Sequence, residues 1–125
     1  MQLAFYLMQI SNDPLSILVG EKLSSVIFVL DYLQLDFDGN RLTCYIFPKV
    51  IKDKLVTSIN SDNYLNLLCS FLGAIVISTT EKDGFGISIS FEAGEIFLSF
   101  TDEDIGEVAY FVDNDGKWST YNSIF

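Results

Sequence analysis

Histidine is absent from this 125-residue chain. Without it there is no Ser-His-Asp or Cys-His catalysis and no His-ligated metal site. Cysteine occurs twice, at Cys44 and Cys69. Neither belongs to a C-x-x-C pair, and two isolated cysteines do not make a four-ligand zinc site. Both fall in apolar stretches, where a buried reduced thiol is the ordinary outcome. Reduced cysteines imply a cytoplasmic location. Bases are scarce, with seven Lys and Arg against seventeen acids, a net charge of −10. A chain so charged lacks the basic stripe that nucleic acid needs, and an anionic membrane surface repels it. No apolar run approaches the roughly 18 residues that span a bilayer. Met1 to Ile10 carries no Lys or Arg ahead of its apolar residues and is not read as a signal peptide. Proline appears only at Pro14 and Pro48, each at a change of element.

What is present is apolar and aromatic. Half the residues are hydrophobic, with eleven Phe and six Tyr. Such a chain folds, since disorder needs low hydrophobicity. Its length suits a single domain over residues 1–125. A core of that size needs neither disulfide nor metal.

The hydrophobic periods predict mostly strands. Ser24 to Asp38 reads as one long strand, apolar on both faces at Val26–Leu30 and alternating at Leu33, Leu35 and Phe37. Asp38-Gly39-Asn40 supplies a hairpin turn, and Arg41 to Phe47 the return strand. Ser61 to Leu72 predicts a helix, with Ser61 or Asp62 as N-cap, Tyr64, Leu65, Leu68, Phe71 and Leu72 on one face, and Gly73 at its end. A meander follows. Its strands are Ala74 to Thr80, then Phe85, Ile87, Ile89 and Phe91 in strict alternation, then Ile96, Leu98 and Phe100. Glu107 to Val112 and Lys117 to Tyr121 form a last hairpin. The expected fold is α+β, mostly β: an antiparallel sheet or sandwich of about seven strands with one helix near residues 61–72.

Lys49, Lys52 and Lys54 follow Pro48 and read either as a solvated connection or as an edge strand protected by lysine. Asp36–Arg41 and Asp113–Lys117 imitate calcium loops. The first has Arg41 where glycine is obligatory and the second has Lys117 at its fifth position, so both are read as turns. Gly84-Phe85-Gly86 belongs to a hairpin and is not a phosphate loop. No spacing of acids suggests a catalytic carboxylate pair. The chain is therefore expected not to be an enzyme, and to hold no metal or cofactor.

The remaining candidates are acids and aromatics near the C-terminus. Asp102, Glu103, Asp104 and Glu107 lie close together, followed by Asp113 and Asp115. They are either a solvated loop or a negative patch for a basic protein. Trp118 and Tyr121 are either packed on the last strand or anchors of that interface.

Several segments resemble a loose group of small, uncharacterised bacterial proteins. They are Phe28 to Leu35 with Phe37-Asp38-Gly39 and Leu42-Thr43, Leu68 to Gly73, Ile89 to Gly94, Asp102-Glu103-Asp104, and Asp115 to Trp118. In type, the small size, the acidity and the lack of catalytic groups resemble immunity proteins of bacterial toxin–immunity pairs, including those of contact-dependent growth inhibition. That resemblance implies a cytoplasmic protein that binds and neutralises a cognate basic toxin, nuclease-like, by standing in for the nucleic-acid backbone. The alternative is a β-rich small-molecule-binding module without catalytic activity.

Overall fold

The computed structural model describes residues 13–102 and 106–124. The N-terminal stretch Met1 to Ile10, and the acids Glu103 and Asp104, lie outside the described residues. A 3-10 helix over Pro14–Leu18 comes first. The strands are β1 (Ser25–Val29), β2 (Tyr32–Phe37), β3 (Asn40–Cys44), β4 (Lys49–Lys52), β5 (Leu55–Thr57), β6 (Val76–Lys82), β7 (Gly86–Phe91), β8 (Gly94–Ser99), β9 (Glu107–Val112) and β10 (Trp118–Asn122). One helix, α1 (Tyr64–Cys69), lies between β5 and β6. The strands make two antiparallel five-stranded sheets, ordered β1-β2-β3-β9-β10 and β5-β4-β8-β7-β6. The fold is thus α+β and mostly β, as the sequence pattern implies, with ten strands among the described residues where about seven are read from periodicity.

The extra strands come from turns that carry no glycine. The stretch read as one long strand is a hairpin. Val29 pairs with Tyr32, and the chain reverses at Leu30 with φ 45°. The lysine segment is no solvated connection. It is β4, an inner strand between β5 and β8, and it turns into the edge strand β5 through Asp53 and Lys54, at φ 52° and 66°. Both central residues of that turn take the left-handed conformation a two-residue hairpin favours, without the usual Asn-Gly signature. The turn read from sequence behaves as expected. Phe37 pairs with Asn40 across Asp38 and Gly39, at φ 55° and 102°.

Alternation decides what is buried. Leu33, Leu35 and Phe37 of β2 face inward, as do Ile87, Ile89 and Phe91 of β7 and Ile96 and Leu98 of β8. They meet in one core with Leu42, Cys44, Val50, Ala109 and Phe111, so both sheets share a single apolar interior. Phe85 departs from the expected alternation. It precedes β7, is exposed, and lies over the Phe97 ring at 5.3 Å.

The helix is shorter than its pattern. Asn63 takes the N-cap position with no side-chain cap bond, and Ser61 Oγ bonds Asn63 Oδ1 instead at 2.7 Å. After Cys69 the chain tightens into three-residue bonds, Phe71 N–H to Leu68 O and Leu72 N–H to Cys69 O, with Phe71 buried and Leu72 exposed; Leu65, within the helix, is exposed too. Gly73 closes the segment at φ 85°, in the left-handed region. The Tyr64 hydroxyl donates to the Pro48 carbonyl, tying the helix to the start of β4. Phe71 stacks on Phe91 at 4.8 Å.

Candidate functional site

The described C-terminal acids do not gather into one cluster. Asp102 follows β8 and is already engaged, with Lys49 Nζ 2.6 Å from its Oδ2. That bond holds the Asp102 carboxyl below the usual range. Glu107 opens β9, while Asp113 and Asp115 lie in the turn that follows it. At about 3.3 Å per residue the length of β9 places Glu107 roughly 20 Å from that turn. Asp113 has a structural task there: its Oδ1 accepts the amides of Asp115 at 2.8 Å and Lys117 at 3.0 Å. Asp115 is exposed.

The two aromatic candidates lie on opposite faces of β10. Trp118 is 65% exposed and stacks on Tyr110 at 6.2 Å. Tyr121 points inward, packed against the core and stacked on Phe100 at 6.2 Å. Burial, then the Glu81 carboxylate facing it, drive the Tyr121 phenol far above its ordinary value. Among the described residues the Tyr121 hydroxyl has no hydrogen bond of ordinary geometry, and Glu81 is the charged group that faces it.

Around Trp118 the structure assembles residues that the linear pattern keeps apart. The register sets Ser25, Asp36, Arg41, Val112 and Trp118 in one row across the first sheet. The next row on that side is Ile27, Gln34, Thr43, Tyr110 and Thr120. Tyr32 and Tyr45 extend the same face, their rings 5.9 Å apart. At its centre Arg41 donates to Asp36 Oδ2 through Nε at 3.1 Å and Nη2 at 2.8 Å, and Gln34 donates to Thr43 at 3.1 Å. Burial acts to raise the Asp36 carboxyl, but the Gly39 amide and the Arg41 guanidinium outweigh it and hold it below the usual range.

A β-bulge completes this face. Tyr121 pairs with Ala109 and Asn122 with Glu107, so Val108 is the extra residue. Val108 and Ala109 are both buried, and the Glu107 side chain lies within hydrogen-bonding reach of Tyr45. Burial, then the Glu107 carboxylate, push the Tyr45 phenol above its ordinary value. The sequence holds a partial signal for this face: in an alternating strand, Tyr32, Tyr45 and Tyr110 fall on the side away from Leu33, Leu42 and Phe111.

The described depressions are open to solvent. One largely apolar depression is lined by Gly73, Ala74, Ile75, Ile77, Glu92 and Ala93. Another, at the β10 edge, brings Asp113, Lys117 and Trp118 together with Pro14. Among the described residues no three acids or cysteines converge as a metal site would require. Cys44 is buried and free, and burial pushes its thiol far up; Cys69 is free and half-buried. No helix among the described residues is long and apolar enough to cross a membrane. No protein-family model, curated protein or solved structure matches this chain.

Proposed function

We propose that this chain is a binding protein without catalytic activity of its own, and that its partner is a basic protein. An immunity protein that neutralises a basic, nuclease-like toxin in the cytoplasm is the class that this reading fits. One observation carries it, the uneven placement of charge. The segments that build the first sheet, residues 25–44 and 107–122, hold six acids against two bases. Those that build the second, residues 49–57 and 76–99, hold five acids against four. On the first sheet Arg41 is tied to Asp36, while Asp31, Asp38, Glu107 and Asp115 are exposed. Neither ion pair formed among the described residues engages those four acids. A carboxylate-rich face of this kind speeds encounter with a basic partner and repels acidic ones. An interface of about 800 Å² on each partner would be of standard size.

The small-molecule alternative places an apolar pocket inside the curved sheet. Apolar side chains from both sheets occupy that space, which favours the protein-binding reading.

The test is capture of a partner on the immobilised chain at low salt, its release at high salt, and an assay of the released protein. A basic protein whose own activity is lost on adding back this chain supports the proposal. Glu107→Lys with Asp115→Lys should slow association about tenfold at low salt. Binding that is indifferent to both salt and these reversals would remove the electrostatic basis of the reading.

A further inference from the structure

We infer that the outer face of the first sheet, running from Tyr45 and Glu107 to Tyr110 and Trp118, docks arginine side chains of the basic partner. The inference rests on the basic-partner reading above and adds the surface and the residue type that it recognises.

Four rings lie on this face in two pairs, Tyr32 with Tyr45 and Tyr110 with Trp118. Sheet faces turned to water more often carry threonine, serine and charged residues than exposed indole and phenol rings. Trp and Tyr are the side chains that concentrate binding energy in protein interfaces. Their ring faces attract cations, guanidinium above all. Carboxylates stand beside both ends. Glu107 adjoins Tyr45, and Asp113 lines the same depression as Trp118. A guanidinium stacked on a ring can then bond a carboxylate with its edge, a geometry that a lysine ammonium does not reproduce.

The cation already on the face does not oppose this. Arg41 is neutralised by two hydrogen bonds to Asp36. Leu30 adds an apolar contact at the rim: it is fully exposed at the tip of the β1–β2 turn, in the left-handed conformation, a strained setting for an aliphatic residue. Aromatic sheet faces also stack nucleic-acid bases, but the six acids of this sheet would repel the phosphates.

Trp118 is the only tryptophan, so its emission reports on this face alone. The experiment titrates the full chain at low salt with an arginine–glycine peptide and with a lysine–glycine peptide of equal charge. It follows Trp118 emission and backbone amide shifts. The arginine peptide should bind about tenfold more tightly, quench Trp118 saturably, and move the amides of β3, β9 and β10. Tyr45→Leu and Tyr110→Leu keep apolar bulk but remove the ring face, and each should weaken arginine binding about threefold. A control that removes an exposed ring beside the second sheet without changing the charge, Phe85→Leu, should leave it unchanged. If both peptides bind equally, with shifts confined to the acidic turns and Trp118 unmoved, the basic-partner reading stands and this face is overturned. If neither peptide binds, the basic-partner reading falls with it. Quenching of Trp118 on concentrating the chain alone would assign the face to a second copy and overturn the inference.

Discussion

Asn114 and Asn40, 74 residues apart, lock two hairpin turns together: the Asn114 amide donates to Asn40 Oδ1 at 3.0 Å. Asn40 is almost wholly buried and also donates from Nδ2 to the Phe37 carbonyl at 3.1 Å. Asn114 Nδ2 in turn reaches the Asp38 carbonyl at 3.3 Å. The β2–β3 turn and the β9–β10 turn therefore act as one unit at the end of the first sheet. A Cβ on Gly39 would meet the Asn114 side chain at 2.0 Å, and its φ of 102° is itself unfavourable for other residues.

Asn40→Ala removes both bonds and leaves the Asn114 amide and the Phe37 carbonyl without these partners. It should cost about 1–3 kcal/mol. Urea unfolding should show a lower midpoint with an unchanged slope, since the surface exposed on unfolding stays the same.

Leu30 offers the opposite sign. It holds φ 45° and is fully exposed, so it contributes strain and no burial. Leu30→Asn should raise stability by up to about 1 kcal/mol, because asparagine tolerates the left-handed region. The same change should weaken partner binding if the Leu30 tip contributes contact. Unfolding and binding measured on one preparation would separate the two effects.

The Tyr64 hydroxyl is the polar tie between α1 and the chain entering β4. Tyr64→Phe keeps the buried ring and removes the bond to the Pro48 carbonyl. The expected loss is about 1–3 kcal/mol. Hydrogen exchange should rise first in α1, since the six-residue helix depends on its packing more than on its own bonds.

Glu81 gives a pH dependence of defined sign. Its Oε2 accepts the Leu15 amide at 2.9 Å. Burial nonetheless raises its carboxyl above its ordinary value, outweighing that bond and the nearby Tyr121 hydroxyl. A carboxyl raised on folding binds more protons in the native state than in the unfolded one. Its contribution to stability is therefore present below the unfolded value and is lost as pH rises through the folded one. Glu81→Gln keeps an acceptor for Leu15 and cannot ionise. It should gain stability at pH 7 relative to the parent, with the gain shrinking toward pH 4, as urea midpoints at the two values would show.

Much of the fold is legible in the chain. Strict alternation at Ile87, Ile89 and Phe91 buries those side chains because a strand has a period of two. Asp38-Gly39 turns where it is expected, since glycine takes φ 102° freely. Two hairpins escape the pattern. Leu30 and Lys54 adopt positive φ although neither residue type favours it, within turns closed by the pairing of the flanking strands. The helix is shorter than its apolar spacing: that spacing runs to Leu72, but the α-helical bonds end at Cys69 and tighter bonds carry the chain on to Phe71, which packs on Phe91.

The sequence by itself determined the acidity, the absence of histidine, the β-rich class and most of the core, because charge and period are properties of the linear chain. Tertiary structure decided which charges are free and which rings face water. Lys49 pairs with Asp102 across 53 residues of chain, and the length of β9 sets Glu107 apart from Asp113 and Asp115. Trp118 and Tyr121, three residues apart, part to opposite faces because successive strand side chains alternate. Tyr32, Tyr45, Tyr110 and Trp118 share a surface only because β9 pairs with β3, a long-range register that no local pattern encodes.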